Sequence, residues 1–168
     1  DITRSMERLQ FHAAIITEYN EPLMTKLKAF LEDVGYTGFA NFDIKYDSRD
    51  GSYRVFEINL RQGRSNYYVT GAGLNIARYV VEDRVLGSDL GPCVMNEKET
   101  FWHSVPRAVV YKYVKDPAFV EKARRLVREG RETTSFGCGY DLRWNPRRFA
   151  YYLVHMQRYF KTFKTYYT

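Results

Sequence analysis

The sequence predicts an α+β fold in which a mainly antiparallel β-sheet is flanked by helices. Two alternating segments around the turn-rich run Asp47-Ser48-Arg49-Asp50-Gly51-Ser52 read as a β-hairpin. Apolar residues at helical spacing recur behind capping residues at Asn20, Asp116 and Asn145. A hydrophobic content of 45%, with 17% aromatics over 168 residues, suits one folded domain with a real core.

Phe11 to Thr17 is apolar enough for an opening strand. Asn20 caps a helix with Glu21 and Pro22 in its first turn, an inner stripe of Leu23, Leu27, Phe30, Leu31 and Val34, and Gly35 as its stop. The hairpin spans Gly38 to Arg61. Strand alternation puts Ala40, Phe42, Ile44 and Tyr46 on one face and Asn41, Asp43 and Lys45 on the other. In the second strand Phe56, Ile58 and Leu60 oppose Val55, Glu57, Asn59 and Arg61. Pairing centred near Asp50 brings Asp43 almost opposite Glu57. Gln62 to Asn66 is a polar loop at the strand end. Gly71-Ala72-Gly73 lacks the spacing of a phosphate loop and feeds a helix from Leu74 to Leu86 that stops at Gly87. Val105 to Val114 predicts a further strand, and Asp116-Pro117 opens a helix with Phe119, Ala123, Leu126 and Val127 facing inward before Gly130. Ser135 to Tyr140 is a glycine-rich loop, and Asn145-Pro146 opens the last helix.

The hairpin's polar face carries the chemistry. Two facing carboxylates repel unless a cation sits between them. Oxygen ligands from Asp43, Glu57 and Asn59 on rigid strands suit Mg²⁺, whose shell is completed by water and substrate phosphates. Arg61, on the same face, would meet phosphate charge. The plain alternative is a solvated face of an antiparallel sheet. Elsewhere the signals are weaker. Cys138 reads as a structural or free thiol, and the cysteines and histidines lack the spacing of a zinc site.

The wording of the motif goes further than its spacing. Gly35-Tyr36-Thr37-Gly38 before Asn41-Phe42-Asp43, then Glu57-Ile58-Asn59-Leu60-Arg61, resembles the ATP-grasp superfamily of carboxylate-amine ligases. The resemblance covers Asn20 to about Asp83 and is closest to members of the D-aspartate ligase type. Leu60 stands where the family often has proline, and Asn41 where some members carry a basic residue. The resemblance implies the C-terminal half of an ATP-grasp fold, with ATP as co-substrate. It implies Asp43, Glu57 and Asn59 as ligands of Mg²⁺ (or Mn²⁺), Asn41 and Arg61 at the nucleotide, and Arg61 as catalytic. Arg64, Ser65 and Asn66 are carried over as substrate-binding candidates. The implied reaction joins a small-molecule carboxylate to an amine through an acyl phosphate. The lysine-bearing and N-terminal subdomains that complete such a clamp are not found in this chain.

Charge divides the chain as function would. Beyond Leu142 lie Arg143, Arg147, Arg148, Arg158, Lys161 and Lys164 with no acid, so the whole net charge of +6 resides in the tail. The expected organisation is a metal-binding subdomain over 1–141 with a basic amphipathic helix over 142–168 packed on it. Its stripe of Phe149, Tyr152, Leu153, Met156, Phe160 and Phe163 is expected to bury against the domain. Docking of an anionic partner, a membrane or a cell-wall precursor by a catalytically silent module is the competing reading. No nucleic-acid motif accompanies the basic aromatics. Two cysteines and the lack of an apolar span predict a cytoplasmic protein. A start at Asp1 in place of methionine is expected of a piece of a longer polypeptide.

Overall fold

The computed structural model describes residues 13–63, 65–135 and 144–167. Strand β1 (Ala14–Ile16) pairs antiparallel with β4 (Phe101–His103), and β4 pairs parallel with β5 (Glu132–Thr134). These three strands form one sheet in the order β1-β4-β5, and β2 (Asn41–Asp47) and β3 (Ser52–Asn59) form a separate antiparallel hairpin. Helices flank the three-stranded sheet, in keeping with the predicted α+β class.

The core lies on one face of the three-stranded sheet. Phe101 from β4 packs with Val109 and Val110 of helix α4 (Arg107–Tyr113), Ala123 and Leu126 of α5 (Pro117–Arg128) and Phe163 of α6 (Pro146–Tyr166). Polar contacts tie β4 to β5 and to the start of α4. The buried His103 ring sits with Nδ1 2.7 Å from the Val105 carbonyl and Nε2 2.8 Å from Glu132 Oε1, and Arg107 approaches the same carboxylate. On the other face, helix α2 (Tyr67–Gly71) lies so close to β5 that a Cβ on Gly71 would fall 2.0 Å from Thr133 Cγ2. Only glycine fits there.

Local signals placed most helices. In α1 (Glu21–Asp33) the Asn20 side chain accepts from Leu23 N and Gly35 follows at φ +61°. Asp116 caps α5 through Ala118 N, and Asn145 caps α6 through Arg148 N. Asn75 caps α3 (Ile76–Arg84) through Arg78 N, so the predicted Leu74–Leu86 helix is shorter, and α2 stands apart before it.

Three expectations are corrected. Val105 to Val114 is not a strand: Pro106 opens α4, and burying Val109 and Val110 in the core outweighs their β preference. The strand lies just before it, at Phe101–His103, and β5 is not among the predicted strands. The α1 stripe does not enter a core: Phe30 meets Phe42 edge-on, yet Phe30 and Val34 stay exposed. The expected start of β1 at Phe11 and the Cys138 loop lie outside the described residues.

Candidate functional site

Cross-strand register decides which side chains share the hairpin's polar face. Asn41 pairs with Asn59, Phe42 with Ile58 and Asp43 with Glu57. Directly paired residues project to the same side with Cβ atoms about 5 Å apart. Asp43 and Glu57 therefore face the same way, as the alternation predicts. Beyond them the register slips: Ile44 pairs with Val55, leaving Phe56 as the extra residue of a β-bulge. The slip moves Val55, expected on the polar face, to the side of Ile44 and brings Arg54 opposite Lys45. The bulge thus ends the acid-bearing stretch directly after its two carboxylates. Among the described residues neither Asp43 nor Glu57 forms an ion pair; the nearest polar contact is Asn41 Nδ2 at 3.4 Å from Asp43 Oδ1.

Beside this face opens a cleft of about 1170 Å³ between the hairpin and β1. Asn41, Asp43, Asn59 and Arg61 line it from the hairpin, and Gly63, Ser65 and Asn66 from the following loop. Glu57 is exposed and does not line it. Arg64 lies outside the described residues. Ser65 is buried, unlike a residue of an ordinary surface turn. Gly63 allows the loop to close on the hairpin: a Cβ there would fall 2.5 Å from Asn66 Oδ1 and 3.3 Å from Asn41 Oδ1. Asn66 and Asn41 are thereby drawn to one end of the cleft.

Sequence reasoning missed the opposite wall. Thr17 and Glu18, leaving β1, line the cleft with Tyr68, Leu74 and Asn96. Thr17 Oγ1 donates to the Lys98 carbonyl at 2.7 Å and accepts from Thr100 N at 2.8 Å, so its 3.0 Å contact with Thr100 Oγ1 has Thr100 as donor. This lock fixes the chain leaving β1 against the approach to β4. Burial pushes the Tyr68 phenol up, which keeps it a neutral hydrogen-bonding group in the cleft. No spacing in the sequence could link Thr17 to residues near position 98; strand pairing alone does so.

Chemically, the arrangement offers carboxylate and amide oxygens, a guanidinium and small polar groups around one cavity. Among the described residues no three Asp, Glu, His or Cys converge.

No family model and no solved structure matches the chain. It is 39% identical over 158 residues to D-aspartate ligase of Enterococcus faecium (strain Aus0004), a match that covers 89% of this chain and 38% of that protein. The resemblance read from the hairpin motif is thus met by kinship that extends well beyond it. The similarity supports the likeness to the ATP-grasp carboxylate-amine ligases, and the chain spans 38% of the length of the relative it matches.

Proposed function

We propose that the chain is the C-terminal, metal- and phosphate-binding part of an ATP-dependent, ADP-forming carboxylate-amine ligase. The observation that carries this reading is the direct pairing of Asp43 with Glu57, without an ion-pair partner among the described residues, beside a polar cleft. Asp43, Glu57 and Asn59 would hold Mg²⁺ (or Mn²⁺), which when bound offsets charge on the phosphates of ATP. Arg61, reaching into the cleft from the end of the hairpin, would stabilise charge on the transferring phosphoryl group. Asn41 would contact the nucleotide phosphates, and Arg64, Ser65 and Asn66 would position the acceptor.

In the reaction so assigned, a substrate carboxylate oxygen attacks the γ-phosphorus of ATP and ADP departs. An amine then attacks the acyl carbon of the acyl phosphate; phosphate leaves and the nitrogen loses a proton. No general base is needed for the first step, because a carboxylate is already ionised at neutral pH. The similarity to D-aspartate ligase favours an amino-acid carboxylate such as that of D-aspartate. The remaining subdomains of the same cytoplasmic protein would supply the other jaw, with the last turns of α6 packed on the core through Phe163.

The test is Glu57→Gln in the full-length protein. Removing one charge from an exposed polar position should abolish amine-dependent ADP release, a fall of at least about a thousandfold, while leaving the thermal melting temperature unchanged. Turnover at the wild-type rate would remove Glu57 from the mechanism.

A further inference from the structure

The expected burial of the tail stripe holds for only half of α6. Phe163 is 6% exposed in the core, with Tyr159 and Phe160 packed against it, whereas Phe149 is 48% exposed and Trp144, just before the helix, 88%. Leu153, Tyr151 and Val154 are exposed as well. At 100° per residue, Phe149 and Leu153 continue the buried stripe, while Tyr151 and Val154 point to the opposite side. The first two turns are therefore apolar on more than one side. An end of this kind is not matched to one groove. It is suited to dipping obliquely into a medium that is apolar all round.

Charge names that medium. Arg147, Arg148, Arg158, Lys161 and Lys164 accompany these side chains, and residues 144–167 contain no acid. Tryptophan and tyrosine favour the headgroup level of a bilayer, and arginine beside them attracts anionic lipid while its stem lies along apolar surface. No helix among the described residues is long and apolar enough to cross a membrane, so the fit is to a surface. We propose that Trp144 and the first two turns of α6 form an anchor for an anionic lipid surface, with the last turns of the same helix fixing the anchor to the core.

The experiment uses the 168-residue chain and vesicles of phosphatidylcholine with or without about one third phosphatidylglycerol. Because Trp102 is buried, Trp144 is an internal reporter. Expected are co-sedimentation with the anionic vesicles alone, a blue shift of tryptophan emission, and release as salt rises from about 0.1 M to about 0.5 M. Phe149→Ser/Leu153→Ser should lower the partition coefficient at least roughly tenfold at a temperature where circular dichroism shows the variant as folded as the parent. Equal binding to neutral and anionic vesicles, an unshifted emission, or undiminished binding of the double variant would overturn the anchor. So would vesicle binding by this chain that disappears in the full-length protein, because the bare turns would then be an internal interface. None of these readouts involves ATP or metal, so the ligase reading stands or falls separately.

Discussion

Around β4 the side chains of Phe101, Trp102 and His103 are all buried, whereas in β3 every residue from Tyr53 to Ile58 is exposed. Both are strands with alternating sides, and both belong to antiparallel pairs. The three-stranded sheet has helices on its faces, with α4, α5 and α6 on one and α2 on the other, while among the described residues the hairpin meets α1 through Phe30 against Phe42. Tyr46 and Tyr53 touch at 5.1 Å, yet both remain about half exposed. The region that bears the proposed ligands is therefore not the region that stabilises the fold. Stability comes from burial, and the hairpin buries little.

The widest contrast is expected from truncating one apolar side chain in each region. Leu126→Ala, at a fully buried position, should cost about 2 to 5 kcal/mol in urea unfolding. Phe56→Ala, at a bulge position 70% exposed, should cost less than about 1 kcal/mol. Comparable losses at the two sites would mean that the hairpin is covered in solution and would break the comparison.

A smaller effect sharpens it at the seam. Gly71→Ala drives a methyl group into Thr133 and should cost about 1 to 3 kcal/mol. Adding Thr133→Ser removes the Cγ2 atom in collision and should return part of that loss, as a double-mutant cycle would measure. Simple additivity of the two changes would show that the contact between α2 and β5 is not the cause.

The smallest effect is electrostatic. The Lys122 ammonium beside Glu99 holds its carboxyl below the ordinary 4.5, and Glu99 and Glu18 hold Lys122 above the ordinary 10.5. A depressed carboxylate contributes stability above its unfolded pKa and loses it as pH falls through the folded value; a raised amine contributes below its unfolded pKa and loses it as pH rises through the folded one. The contribution should therefore be full between those limits and decline outside them. Both groups are partly solvated, so Glu99→Gln should lower stability at pH 7 by about 1 kcal/mol or less and flatten the acid limb of melting temperature against pH. An unchanged acid limb would assign the pH dependence to other carboxylates.

Much of the site was legible because its signal is local. Period-two alternation and a turn run fix which side of a hairpin each residue takes, so the opposition of Asp43 and Glu57 follows from their positions in the chain. Even here the bulge at Phe56 escaped, since a one-residue slip depends on how the strands fit and leaves no mark in composition. Thr17, Glu18, Tyr68 and Asn96 were not legible as cleft residues, because pairing of segments more than eighty positions apart brings part of the wall together.

The sequence by itself determined the capped helices, the hairpin with its polar face and the basic tail, because caps, alternation and charge act over a few residues. Tertiary structure alone decided that Val109 and Val110 enter a helix, that β5 joins β4 in parallel, and that one apolar stripe is buried at Phe163 but bare at Phe149. Those outcomes depend on which surfaces meet, and burial against a distant partner contributes more free energy than any local preference it overrides.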